Sequence, residues 1–120
     1  MSAAVPILKV GDVLMVSIQE DISDQAALAL QEALSERIVA TVARGVIIDI
    51  SALEIVDSFI GRMLATIAST ARVLDAETLV VGMRPAVAIT LTELGLSLGG
   101  VKTALDAEKA LDIMRESLSA

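Results

Sequence analysis

The residues with the most chemical scope stand in one segment, Glu54-Ile55-Val56-Asp57-Ser58-Phe59-Ile60-Gly61-Arg62. Asp57 and Ser58 precede an apolar stripe of helical spacing. In that position an Asp or Ser oxygen accepts hydrogen bonds from first-turn N–H groups, which have no partner inside the helix. The pair therefore reads either as ordinary helix caps or as a carboxylate and a hydroxyl presented on a surface loop. Phe59 directly follows and is the chain's single aromatic residue. An aromatic side chain there is either a core filler or an anchor for a partner. Arg84 offers the same two readings, an exposed base on a loop or an interface residue, because Arg is enriched where proteins meet.

Composition removes most other chemistry. The 120 residues contain no His, Cys, Trp or Tyr. That excludes a Ser-His dyad, a thiolate nucleophile and an imidazole or thiolate zinc site. A metal would need hard oxygen ligands. Asp49, near the end of an apolar run, with Glu20 and Asp21 as companion carboxylates, is the nearest approach to a phosphoacceptor site with Mg²⁺, but the pattern is incomplete. No Gly-x-Gly-x-x-Gly and no Gly-x-x-x-x-Gly-Lys occurs, so no dinucleotide or P-loop site is signalled. Paired carboxylates for sugar hydrolysis lack aromatic partners and room for a cleft. The expectation is a protein with no catalysis, no cofactor and no bound metal.

Sixteen acidic residues against nine basic ones leave a net charge of -7, and no two bases are adjacent. This balance opposes binding to nucleic acid or to an anionic membrane surface. The longest stretch without a charged residue, Met63 to Ala71, is nine residues, against the roughly 20 needed to span a bilayer. Met1 to Asp12 has no basic region followed by an apolar run, so it does not read as a secretory signal. A cytoplasmic location is expected, and a fold without disulfides suits it.

The length fits one domain, 1–120, able to bury about two-thirds of its unfolded surface. Ile7 to Val10 and Val13 to Ile18 are short apolar runs around Gly11-Asp12, which predicts a hairpin. From Ser23 or Asp24, both N-cap residues, Leu30, Leu34, Ile38 and Val42 recur every four residues and predict a long helix ending before Gly45. Val46 to Ile50 is apolar at nearly every position, as a strand covered on both faces should be, which implies parallel pairing. Ile60, Met63, Leu64, Ile67 and Ala71 mark a helix from Ser58 to Leu74, with Arg62 and Arg72 off its stripe. Leu79 to Val81 reads as a buried strand. Pro85 opens a helix that Gly95 closes. After a Gly99-Gly100 break, Val101 to Ala104 forms a short strand. Asp106 then caps a last helix carrying Ala107, Ala110, Leu111, Met114 and Leu118. The order ββαβαβαβα is that of a small α/β fold, a mixed sheet with helices packed against it and right-handed crossovers.

That order, with Val46-Ile47-Ile48-Asp49-Ile50 running into Val56-Asp57-Ser58, resembles the STAS domain of anti-sigma factor antagonists. Pro6-Ile7-Leu8-Lys9, Val16-Ser17-Ile18-Gln19, Gly82-Met83-Arg84-Pro85-Ala86-Val87 and Glu93-Leu94-Gly95 are similar to the stressosome branch, in particular to single-domain scaffolds of the RsbS type. Ser23 stands where many members have Asp, and Phe59-Ile60 replaces the Ser-Gly of the simpler antagonists, a feature shared with the stressosome branch. The resemblance implies phosphorylation at Ser58, with Asp57, Ser58, Phe59 and Arg84 as partner-binding residues. It implies as partners an RsbR-type STAS paralogue in a homo- and hetero-oligomeric assembly, an RsbT-like serine kinase that is sequestered and released, and a PP2C-type phosphatase. A simple antagonist binding an anti-sigma kinase one to one is the alternative.

Overall fold

The structure, a computed structural model, describes residues 5–95 and 101–119. Nine elements follow in the expected order: β1 (Leu8–Val10), β2 (Val13–Ser17), α1 (Asp24–Thr41), β3 (Gly45–Asp49), α2 (Ser58–Val73), β4 (Glu77–Val81), α3 (Pro85–Glu93), β5 (Lys102–Ala104) and α4 (Ala107–Ser119). The Gly99-Gly100 break and the side chain of Leu118 lie outside the described residues. The β1–β2 hairpin closes over Gly11-Asp12, with Val10 opposite Val13. Gly11 takes φ +60°, the positive value that a first central hairpin residue needs and that glycine adopts without steric cost.

The five strands lie in the order β1-β2-β3-β4-β5, with β1 antiparallel to β2 and every other pair parallel. Each crossover from β2 to β5 steps one strand in the same direction. A uniform right hand therefore sends α1, α2 and α3 to one face. Strand alternation sorts the core to match. Leu14, Val16, Val46, Ile48 and Val80 meet Leu30, Leu34, Leu64, Ile67, Val87 and Leu91 of the three helices. Val13, Ile47, Leu79 and Val81 face the other way, onto Ala110 and Met114 of α4. Gly45 through Ile48 of β3 are all buried, as the unbroken apolar run required.

Two details depart from the sequence reading. Val42 belongs to the four-residue series of α1, yet the helix stops at Thr41. Val42 turns into the left-handed region at φ 52° and lies 78% exposed. The chain reverses there to enter β3, and Ala43 is buried in its stead. β4 begins two residues before its apolar run, at Glu77, which pairs with Gly45 of β3 and donates its N–H to the Arg44 carbonyl at 3.0 Å, while α4 supplies a partner for its side chain. Ser117 Oγ donates to the Glu77 carboxylate at 2.8 and 3.0 Å. The N-cap of α1 is Ser23, whose Oγ accepts from the Ala26 N–H at 3.0 Å.

Thr78 is the exception in this core. It is 5% exposed, and its hydroxyl is the one buried side-chain oxygen among the described residues without a hydrogen-bond partner. A buried polar group without a partner costs about 1–3 kcal/mol, and valine has the same shape. Thr78→Val is expected to raise unfolding stability by about 1 kcal/mol, read as a higher urea midpoint at unchanged slope.

Candidate functional site

Parallel strands deliver their loops to one edge of the sheet, and ligands or partners of such sheets meet the carboxyl ends of the strands. Here β3 ends at Asp49 and β4 at Val81, and the two following loops pack together. Ile50 is fully buried, with its N–H donating to the Val81 carbonyl at 2.9 Å. Asp49 Oδ1 accepts from the Ser51 N–H at 2.9 Å, so this carboxylate is engaged in a local turn. Leu53 and Val56, both 2% exposed, plug the loop into the core, while Glu54 and Ile55 stay at the surface between them.

Gly82 holds the neighbouring loop against this one. It has φ +75°, and a Cβ there would stand 2.6 Å from Ser51 Cβ and 3.0 Å from Ser51 Cα. No side chain fits between the loops. Arg84 adds a polar tie, its Nε donating to the Ser51 carbonyl at 3.2 Å. Its backbone forms the N-cap of α3, with Pro85 as the first helical residue.

The loop ends at Asp57, the N-cap of α2, whose Oδ1 accepts from the Ile60 N–H at 2.9 Å. Ser58 is the first helical residue and half-buried, and its Oγ accepts from an Arg62 Nη at 3.3 Å. An oxygen that accepts from a guanidinium keeps its own proton for another acceptor. The Ser58 hydroxyl, half-buried and in contact with Arg62, therefore keeps its proton available to an outside acceptor. Phe59 is half-buried and packs against the core cluster of the three-helix face.

Asp57, Ser58 and Phe59 thus form one continuous surface. Arg84 meets the same loop earlier, at the Ser51 carbonyl. Arg62 was legible only as a base off the apolar stripe, although its spacing of four from Ser58 is the signal for a helical side-chain pair. The contact of Gly82 with Ser51 is long in sequence and had no local signal. The candidate Asp49, Glu20 and Asp21 do not assemble a site: among the described residues no group of three or more Asp, Glu, His or Cys could hold a metal ion. A hollow of about 430 Å³ between the hairpin turn and α4, and one of about 230 Å³ between the ends of α1 and α2, are lined by none of the Ser58 surface. No helix among the described residues is long and apolar enough to cross a membrane.

The family model for the STAS domain matches residues 4–110, and the chain belongs to that family. Within it, the chain matches RsbS- and RsbR-type stressosome proteins at 31–44% identity. RsbS of Moorella thermoacetica in its S58E form is 42% identical, with a TM-score of 0.89 over 98% of this chain and 100% of that one. A chain from the architecture of the stressosome, a signal integration and transduction hub, is 44% identical, with a TM-score of 0.86 over 96% of this chain and 100% of that one. The RsbT co-antagonist protein RsbRD of Bacillus subtilis is 31% identical over 91 residues, 76% of this chain. The chain spans about a third of the length of that curated relative, 33%. The similar RsbS and stressosome chains place this one among proteins of signal transduction.

The loop contact can be tested against a matched control. Gly82→Ala and Gly11→Ala both place Ala at positive φ, a cost of about 1–2 kcal/mol each, but only Gly82 faces another backbone; Gly11 has nothing within 4 Å. Gly82→Ala is expected to destabilise by about 2 kcal/mol more than Gly11→Ala in urea unfolding, with faster amide exchange from Ser51 to Leu53.

Proposed function

We propose that the chain is a stressosome scaffold of the RsbS type, a single STAS domain over 1–120 that sequesters an RsbT-like serine kinase and releases it when phosphorylated on Ser58. The observation that carries this reading is the Ser58 hydroxyl, held by Arg62 at the start of α2 on a loop that Gly82 and Arg84 fix in place. Similarity to RsbS along nearly the whole chain supports it, and the Moorella protein's substitution of serine by glutamate bears the same number, 58. The name of the Bacillus relative, a co-antagonist of RsbT, supports the kinase class and an RsbR-type paralogue as assembly partner. The kinase transfers the γ-phosphoryl group of ATP: the Oγ–P bond forms, the bond to the bridging oxygen of ADP breaks, and the hydroxyl proton passes to a base of the kinase. A PP2C-type phosphatase hydrolyses the ester and resets the site. Action in the cytoplasm belongs to the same reading.

Electrostatics explains why such a modification releases a partner. A phosphoryl group adds about -1.5 to -2 charges. At a helix N-terminus the dipole favours an anion by about 0.3–1 kcal/mol, while the exposed carboxylates of Asp57 and Glu54 nearby in the chain oppose it. These small terms leave the fold nearly unchanged in stability. A kinase seated over Ser58 and Phe59 has to strip water from a dianion, and taking a charge out of water costs several kcal/mol even beside a partner charge. Docking is lost without refolding.

Intact-mass analysis after incubation with ATP and an RsbT-type kinase is expected to show one added phosphoryl group, and none on Ser58→Ala. Mixed with an RsbR-type subunit, the protein is expected to enter a particle of megadalton order. A small one-to-one complex with a kinase would instead identify a simple antagonist.

A further inference from the structure

Arg62 has no part in the core, in capping or in the loop contact. It is exposed on α2, one turn after Ser58, and its guanidinium reaches the serine oxygen at 3.3 Å. Before modification this is a cation resting on a neutral hydroxyl, a weak use of a group with five donors in a planar fork. We infer that Arg62 is the built-in counter-ion of the phosphorylated state: once Ser58 carries a phosphoryl group, the guanidinium that already touches Oγ pairs with the anionic oxygens bonded through that atom. The inference rests on the reading of Ser58 as the modified residue and adds the group that holds the phosphate.

The chemistry favours this pairing over the alternatives on the same surface. Phosphoryl oxygens are stronger acceptors than a hydroxyl, and charge-assisted bonds to them are roughly twice as strong as neutral ones. The i,i+4 spacing keeps the pair on one helical face, so capture needs only side-chain rotation. Arg84 has its contact on the Ser51 carbonyl, seven residues before Ser58 in the chain. Asp57, the neighbour of Ser58 in the chain, keeps its Oδ1 on the Ile60 N–H and is itself an acidic residue, so it offers the phosphate no counter-charge. Arg62 is the base whose contact with Ser58 Oγ is already made before modification. Capture also withdraws it from any docked partner, so modification adds a dianion and removes a cation at one place.

The test uses full-length protein with phosphoserine installed at position 58 during translation, so that no kinase is required. The second phosphate pKa, about 6 in a free phosphoserine, is read by ³¹P NMR titration in the Arg62 protein and in R62Q and R84Q. Arg62 is expected to hold it lower by about half a unit or more relative to R62Q, and R84Q is expected to leave it in place. Equal values in the Arg62 protein and R62Q, or the same loss in R84Q, would overturn the counter-ion assignment. That failure is separable from failure of the proposed function, which is judged by whether the kinase modifies unmodified Ser58 at all.

Discussion

A strand buried on both faces constrains everything around it. From Gly45 to Ile48 the third strand has no contact with solvent, because three helices cover one side of the sheet and α4 the other. Polar chemistry on this strand can only appear where it leaves the core, and it leaves at Asp49. The loop that follows is pulled back by Leu53 and Val56 and clamped by Gly82, so it emerges at one defined place, the start of α2. The position of Ser58 is a consequence of how completely β3 is buried.

The same burial explains why so much of the fold could be read from residue order. Four-residue recurrence at Leu30, Leu34 and Ile38 and the unbroken run from Val46 mark opposite periodicities, and alternating them leaves little choice but parallel crossovers. Capping was legible for the same local reason: Ser23, Asp57 and Asp106 each bond an N–H three residues on. What escaped was set at a distance or by backbone angles. Val42 fits its helical series, and only the reversal into β3 turns it outward. Glu77 looks like a loop residue until its backbone pairs with Gly45 of β3, and its side chain meets Ser117, 40 positions later. The Gly82–Ser51 approach joins two loops that share no pattern.

The site was legible in its residues and less so in its organisation. Asp57, Ser58 and Phe59 stood out as a cap, a hydroxyl and a lone aromatic residue, and what they imply about partners came through resemblance to the stressosome branch. The arrangement adds a division of labour. Asp57 serves the helix, Phe59 ties the surface to the core, Arg84 ties the neighbouring loop, and Arg62 contacts the hydroxyl. Only the last of these bears directly on Ser58, which is why a charge added there can be accommodated on the domain's own side and act on whatever is docked.

The central claim is that modification changes surface charge and leaves the fold alone. Backbone ¹H–¹⁵N shifts of the protein before and after phosphorylation at Ser58 test it most directly. The account predicts changes confined to the end of the β3–α2 loop, the first turn and a half of α2 and the Arg84 region. Changes extending through the rest of α2 or into β3 and β4 would contradict it, since they would mean that the phosphate acts by rearranging the core.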